Sequence, residues 1–290
     1  MGSFTVTTDS GCDLPLSFCS SRGIIPLKMS YAIGDRSFTD TMDPKDLKDF
    51  YDGMRSGDCP KTSQVTPYQF VEFWTPLLKE KKPIIHIALG SGISGTWANA
   101  VSAADMLRAD NPDADIRVID STLASVGYGM LAILAADLRD CGSSADDCQA
   151  ELERVKGNIN TYYTTGDLTY LYRSGRVSRT GMTIAHALNI WPILNLDLDG
   201  HLIVQAKERG KKRTIERIHK IIGDLCIDPE DQTLYICHSD IAEEAERFGG
   251  EIKEKFGFRD VFYTYIGTTI GSNCGPGLMA AFFVGKKRTN

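Results

Sequence analysis

Apolar and polar positions in the first 160 residues follow two alternating periods. Short apolar runs have the length of buried strands at residues 4–8, 84–89 and 116–120. Apolar positions that recur every three or four residues predict helices over 44–54, 68–81, 94–108, 124–140 and 146–160. A hairpin is predicted around 33–35, between strand-like runs at 23–31 and 36–40. Strands that alternate with helices favour a mainly parallel sheet with helices on both faces.

After residue 160 the same periods predict a second unit that is richer in strands. Strands are expected at 162–165, 192–196, 201–206, 233–237, 260–265 and 278–284, and helices at 210–225 and 241–256. The segment 267–277 contains four glycines. It predicts either a bulge-rich loop before the last strand or a backbone that approaches a ligand or another strand closely. We therefore predict an α/β fold of two α/β domains, residues 1–160 and 161–290, with a cleft between them.

Composition narrows the classes of function. The net charge of −6 argues against a dedicated nucleic-acid surface, and the basic residues between Lys207 and Arg217 indicate a local docking patch. The eight cysteines form no C-x-x-C pair, which argues against a zinc ribbon or a thioredoxin-like motif. The chain starts without a signal-peptide pattern, and no apolar stretch reaches the roughly 18 to 20 residues of a membrane span. We expect a cytoplasmic protein with reduced thiols.

The segment after the strand at 84–89 predicts an anion site. Residues 90–96 read Gly-Ser-Gly-Ile-Ser-Gly-Thr and open a helix near Ser94. Such a turn directs backbone N–H groups and hydroxyls to one place, where the positive end of the helix dipole adds to them. A carboxylate or a phosphate therefore suits this position.

A second hydroxyl-rich turn, Thr62-Ser63-Gln64, precedes the helix predicted at 68–81. Thr62 or Thr66 could simply cap that helix, because Thr is common at such positions. In a doubly wound sheet, however, turns at the carboxyl ends of neighbouring parallel strands meet in one crevice. The pattern thus predicts that Thr62 and Ser94 face the same ligand.

Two other interpretations of these turns remain open. Residues 90–95 satisfy G-x-G-x-x-G, and Asp120 ends the next strand where a ribose-binding acid would lie, so an NAD(P)-linked oxidoreductase is the main alternative. Against it, the motif is not on the first strand and carries two serines. A hydrolase of acyl esters is a third hypothesis, although no G-x-S-x-G or H-E-x-x-H motif occurs. Hydroxyls without an evident base or metal favour binding over catalysis.

The order and spacing of several short motifs resemble the DegV family over nearly the whole chain. The motifs are residues 8–15 (Thr-Asp-Ser-Gly-Cys-Asp-Leu-Pro), 62–64, 91–96, 118–121, 171–178 (Leu-Tyr-Arg-Ser-Gly-Arg-Val-Ser), 189–194 and 275–277. The resemblance implies a non-enzymatic protein that holds one long-chain fatty acid in the cleft between two α/β domains. It also implies no cofactor or metal, and a separate ATP-binding fatty acid kinase subunit as the partner, with at most transient contact with a membrane surface.

The resemblance also assigns roles to residues. It places the fatty-acid carboxylate on Thr62 and Ser94, with Ser63, Gly95 and Asn273 in the same binding site. The basic residue that supports phosphoryl transfer or kinase docking falls on Arg209. At position 273 this chain has Asn where the family usually has His. Because Asn can hydrogen-bond a head group but cannot carry a proton near neutral pH, we expect fatty-acid binding to survive and support for phosphoryl transfer to be affected.

Overall fold

The computed structural model of the protein describes residues 3–177 and 189–289. The strands of this part are β1 (Thr5–Asp9), β2 (Ile24–Leu27), β3 (Ser30–Ile33), β4 (Arg36–Thr39), β5 (Lys61–Thr62), β6 (Ile84–Ala88), β7 (Ile116–Asp120), β8 (Ile159–Thr164), β9 (Ile190–Leu196), β10 (Leu202–Arg209), β11 (Thr233–His238), β12 (Asp260–Tyr265) and β13 (Met279–Val284). Its helices are α1 (Leu16–Ser21), α2 (Pro44–Arg55), α3 (Pro67–Leu78), α4 (Thr96–Asp110), α5 (Val126–Asp140), α6 (Ala145–Val155), α7 (Thr169–Arg173), α8 (Lys211–Leu225), α9 (Ala242–Phe256) and α10 (Thr268–Cys274).

The first sheet is parallel throughout, as predicted. Its strand order is β2-β1-β6-β7, and all three neighbouring pairs run in the same direction. Helices α3 and α4 cover one face, where Phe70, Trp74 and Ala100 pack on Ile84 and Ile116. The other face packs on α5. The carboxyl ends of β6 and β7 therefore lie at one edge, and the loops that follow them start there.

The prediction of one continuous strand over 23–31 is wrong. The structure divides this run into β2, which joins the parallel sheet, and β3, which pairs with β4 and β5 in a separate three-stranded antiparallel sheet. The predicted hairpin around 33–35 does join β3 to β4. Strand β5 of this small sheet carries Thr62, one of the site residues that the sequence predicts.

The second large sheet is mixed, with the strand order β10-β9-β8-β13-β11-β12. Its neighbours are antiparallel except for β11 and β12. Helices α8 and α9 cover its outer face, with Ile218, Ile222 and Phe248 in the core beneath them. The sheet begins with Ile159, while the division into domains at residue 160 stays a prediction.

Helix α5 lies between the two large sheets and joins their cores. Ten of its fifteen residues are buried, which suits a sequence that is apolar on every side. It packs on Val6 and Ile87 of the first sheet and belongs to the same core as Leu194 and Phe282 of the second. This shared core explains why the space between the sheets is mostly apolar.

Buried Asp13 joins the two halves of the molecule. Its carboxylate accepts hydrogen bonds from the Gly267 N–H (2.8 Å) and the Ser125 hydroxyl, and its carbonyl accepts one from Thr264 Oγ1 (2.6 Å). Burial raises the pKa of Asp13 well above its usual value, and the hydrogen bonds from Ser125 and Gly267 partly offset the rise. The motif at residues 8–15 thus holds the start of the chain against α5 and the segment after β12.

The glycine-rich segment 267–277 is not a loop throughout. It contains α10, with Gly267 at its N-cap and Gly275 at its C-cap, where φ is positive (74°). In residues 3–177 and 189–289, no helix has the length and hydropathy needed to cross a bilayer. All eight cysteines are free thiols.

Candidate functional site

A cavity of about 200 Å³ lies between the two large sheets. Much of its wall is aliphatic, and we call it the apolar cavity; among its lining residues are Leu89, Ile93, Leu194, Leu196, Leu202 and Leu278. Hydroxyl and amide side chains also reach it, among them Thr62, Ser63, Gln64, Ser94, Thr269 and Asn273. A mostly apolar space with a few polar groups suits a ligand that has a long hydrocarbon part and a polar head.

Ser94 lies in the turn that leads into α4. Its Oγ accepts a hydrogen bond from the Thr96 N–H (3.2 Å) and lies 2.9 Å from Thr96 Oγ1. Upstream, Asp9 anchors the start of this turn, because its Oδ2 accepts from the Leu89 N–H (3.2 Å). Burial raises the pKa of Asp9 to about 6, and hydrogen bonds from Tyr128, Leu89 and Gly11 oppose the rise. The hydroxyl is therefore held beside the N-terminus of a fifteen-residue helix, where a negative charge is stabilised.

Thr62 reaches the same cavity from the small sheet, where it pairs with Tyr31. Asn273 Nδ2 donates to Thr62 Oγ1 (3.4 Å) and to the Thr269 carbonyl one turn earlier in α10 (2.8 Å). The helical conformation of 268–274 thus brings Asn273 to Thr62. The structure brings together Thr62, Ser63, Ser94 and Asn273, four of the site residues that the sequence predicts.

Gly95 has a different place from the one expected. It is the N-cap of α4 and is not among the residues that line the apolar cavity. A Cβ atom there would lie 2.6 Å from Gln64 Oε1, so glycine lets the Gln64 side chain pack against this turn. Gly95 therefore shapes the site through Gln64, which does line the cavity.

A second cavity, of about 360 Å³, adjoins the first. We call it the basic cavity, because Lys61, Arg173 and Arg176 line it. Thr62, Arg176 and Asn273 line both cavities, so these three residues lie where the two meet. Hydroxyl, amide and guanidinium groups therefore lie together at this junction.

Arg176 is the functional candidate that sequence reasoning missed. Its guanidinium is half-buried, burial lowers its pKa, and Nη1 donates to the Ser174 carbonyl. Among the residues that the structure describes, no carboxylate pairs with it. A half-buried cation without a counter-charge suits an anionic ligand. The signal was present in the Arg-Ser-Gly-Arg run of residues 173–176, to which no role was assigned.

Arg209 does not join this group. It lies exposed at the end of β10, pairs with Ile190 of β9, and lines neither the apolar nor the basic cavity. Motif position alone could not show which basic residue reaches the site. Arg176, and not Arg209, lines the two cavities, and a docking role for Arg209 stays a prediction.

The turn at 90–95 is occupied by the chain's own contacts. Asp120 accepts hydrogen bonds from the Ser91 N–H (3.0 Å), Ser91 Oγ (2.6 Å) and the Thr122 N–H (3.1 Å). Gly92 packs so tightly on the β9–β10 turn that a Cβ atom would lie 2.5 Å from the carbonyl carbon of Gly200. Because the acid and the glycine that a dinucleotide would need are engaged within the protein, the structure does not favour the oxidoreductase alternative.

The described side chains form no candidate metal site. Within residues 3–177 and 189–289, no group of three or more His, Cys, Asp or Glu side chains is placed to hold a metal ion. Residues 182–188, whose apolar sequence suits a channel wall or ordinary core equally, lie outside the described residues. Trp191, whose aromatic side chain is also compatible with a channel wall or ordinary core, packs against Gly166 and lies under Lys211, and it does not line the apolar cavity.

Comparison with known proteins identifies the family. A family model described as "Uncharacterised protein, DegV family" matches residues 3–286. The chain belongs to the DegV family. It is 35% identical over 286 residues to a DegV domain-containing protein of Clostridium perfringens, and the alignment covers 98% of each chain.

Solved DegV-family structures share the whole fold. One is DegV of Bacillus subtilis, described as a fatty acid binding protein: the TM-score is 0.85 at 28% identity, over 99% of this chain and 100% of that one. Another, from Thermotoga maritima, is described as revealing a fatty acid binding function: the TM-score is 0.83 at 26% identity, over 98% and 100% of the two chains.

Proposed function

We propose that this DegV-family protein binds a long-chain fatty acid, with its hydrocarbon chain in the apolar cavity and its carboxylate at Thr62 and Ser94. The observation that carries the proposal is the junction of the two cavities. There, hydroxyl and amide donors and Arg176, which pairs with no carboxylate of the described residues, adjoin an aliphatic space between two sheets. The fatty acid binding described for the Bacillus subtilis and Thermotoga maritima relatives supports the same ligand class.

The hydrocarbon chain and the head group contribute differently to this binding. Burial of about 16 methylenes at about 0.8 kcal/mol each provides more than about 10 kcal/mol before the ordering costs are subtracted. Hydrogen bonds to a charged group contribute about 1.5 to 3 kcal/mol each. The chain thus supplies most of the affinity, while Thr62 and Ser94 fix its orientation and favour an ionised head group.

The first experiment identifies the ligand that co-purifies with the protein. Native mass spectrometry is expected to show a co-purifying C14 to C18 fatty acid, and the delipidated protein is expected to bind added palmitate. In Thr62→Ala combined with Ser94→Ala, the Kd for palmitate is expected to rise about 100-fold or more, because two hydrogen bonds to a carboxylate, together worth about 3 kcal/mol or more, are lost.

The matched controls are Thr75→Ala and Ser102→Ala. These hydroxyls lie exposed on α3 and α4 and donate to backbone carbonyls one turn earlier. Neither residue lines the apolar or the basic cavity, so these variants remove a hydroxyl without changing the proposed binding site. The proposal is contradicted if the purified protein carries no lipid and does not bind added palmitate. If the double variant binds palmitate as the natural chain does, the carboxylate does not bind at Thr62 and Ser94.

We further propose that the bound fatty acid is presented to a separate ATP-binding fatty acid kinase subunit. Lys61, Arg173 and Arg176 support this role, since they place positive charge where a phosphoryl group would approach the carboxylate. Asn273 cannot share a proton with that group as a histidine could. A transient contact with a membrane surface, from which such a lipid would come, stays a prediction.

The presentation role is testable with lipid-loaded protein, ATP and a kinase subunit from a bacterium that carries DegV-family relatives. Acyl phosphate can be trapped with hydroxylamine and measured as the hydroxamate. We expect a measurable rate for the natural chain and a higher one for Asn273→His. If neither form yields product although both hold palmitate, the kinase role is wrong and lipid binding stands.

A further inference from the structure

The two hydroxyls of the proposed site come from separate parts of the chain. Thr62 belongs to the small sheet, and Ser94 belongs to the turn before α4. Two oxygens can hold one carboxylate only if their separation is fixed to within a fraction of an ångström. Some contact must therefore tie the segment that follows Thr62 to the segment that contains Ser94.

Asn99 makes that contact with its side-chain amide. Its Nδ2 donates to the Val65 carbonyl (2.9 Å) and to Gln64 Oε1 (3.3 Å), three and two residues after Thr62. Its own N–H donates to the Gly95 carbonyl (3.1 Å), next to Ser94. One residue thus holds both segments, from the rigid first turn of α4.

The packing around Gly95 strengthens this tie. The Gln64 side chain lies against Gly95, where a Cβ atom would be within 2.9 Å of three of its atoms. Gln64 is therefore held between Gly95 and the amide of Asn99. An amide is required at position 99 because its two hydrogens serve two acceptors, whereas a carboxylate of the same shape would offer none.

We propose that Asn99 is a positioning residue that sets the separation of the Thr62 and Ser94 hydroxyls and so makes the site select a free carboxylate over an uncharged head group. Asn99 does not itself line the apolar cavity. The inference rests on the proposed fatty-acid binding and adds the origin of its head-group preference.

The test compares two ligands that share one hydrocarbon chain, palmitate and hexadecan-1-ol. Asn99→Asp keeps the shape of the side chain but removes both donors. We expect the Kd for palmitate to rise about 10-fold while the Kd for hexadecan-1-ol changes less than about 2-fold, since only the carboxylate needs both hydroxyls. A merely structural role would weaken both ligands in parallel. The neutral variant Asn99→Ser separates the lost donor from the negative charge that Asp adds, and it is expected to raise the Kd for palmitate more than the Kd for hexadecan-1-ol.

Asn111→Asp is the matched control, since it makes the same chemical change at the C-cap of the same helix. It is expected to leave the ratio of the two Kd values unchanged. The double variant Thr62→Ala with Asn99→Asp should have nearly the same Kd for palmitate as Thr62→Ala alone, because both residues act on the same contact with the carboxylate.

The outcomes separate this inference from the function on which it rests. A parallel loss for both ligands, or full additivity with Thr62→Ala, overturns the role of Asn99 and leaves fatty-acid binding intact. Failure of the natural chain to bind palmitate overturns the proposed function itself. If Asn99→Asp does not fold, Asn99→Ser removes one of the two hydrogens, and its Kd ratio is expected to change in the same direction.

Discussion

His86 illustrates how a titratable residue can serve packing alone. It lies in the centre of the parallel sheet, fully buried, with Phe70 and Trp74 edge-on to its ring at 5.2 and 5.3 Å. Nδ1 lies 3.0 Å from Thr7 Oγ1, and Nε2 has no hydrogen-bond partner among the described residues. Burial lowers the pKa of His86 to about 3. The ring is thus neutral in the folded protein, as an apolar strand predicts.

This burial makes the protein sensitive to acid in a defined direction. The unfolded chain protonates His86 near pH 6.5 and the folded protein only near pH 3, so stability is lost as the pH falls between these values. From pH 7.5 to 5 the loss from this residue is about 2 kcal/mol. His86→Phe is expected to remove it, which urea unfolding at both pH values would show as a smaller change in the free energy of unfolding. Equal pH dependence in the two proteins would contradict a neutral His86.

At the scale of single side chains, the sequence predicted two hydroxyls that line the apolar cavity, but it did not predict the arginine that also lines it. Thr62 and Ser94 line one cavity, as their two hydroxyl-rich turns predict. The expected reason holds for Ser94, which follows β6 of the parallel sheet, but Thr62 reaches the cavity from β5 of the small antiparallel sheet. Arg176 could not be selected over Arg209 in this way. Which basic residue reaches a cavity depends on how α7 packs beside α10, and local sequence does not encode that contact.

At the scale of elements, periodicity predicted most helices and strands correctly. Its predictions were wrong where a tertiary contact determines the local structure. Glycines in 267–277 indicated a loop, yet α10 forms there. Gly271 is in that helix because a Cβ atom would lie 2.5 Å from the hydroxyl of buried Tyr51 on α2. Gly267 and Gly275 are its caps. A close approach between helices and a cap both require glycine, and a sequence pattern cannot distinguish them from a flexible loop.

The prediction of one strand over residues 23–31 was wrong for a related reason. Its residues favour an extended conformation throughout, so a single strand was the simplest prediction. In the structure the chain leaves the parallel sheet after Leu27, and the Met29 N–H donates to Ser10 Oγ (3.0 Å) before the chain starts the small sheet. A strand pattern shows that residues are extended, but the choice of partner strand depends on the rest of the fold.

At the scale of the whole molecule, the two sheets share one apolar core that surrounds an unfilled space. Residues of the first sheet, α5 and the second sheet belong to the same buried cluster, and the apolar cavity adjoins it. A bound hydrocarbon chain would therefore complete the packing between the two halves. Binding of such a ligand to the folded state alone stabilises it by about 2.7 kcal/mol at a free concentration of 100 times Kd.

This arrangement predicts how affinity depends on the length of the fatty acid. Each further buried methylene adds about 0.8 kcal/mol, which lowers Kd about fourfold. In titrations of delipidated protein with saturated acids from C8 to C20, Kd should fall by this factor per carbon until the apolar cavity is full, and then stop falling. The combined Thr62→Ala and Ser94→Ala variant should show the same slope, displaced to weaker binding, because head and chain contribute separately. A Kd that does not depend on chain length would mean that the space between the sheets does not hold the hydrocarbon.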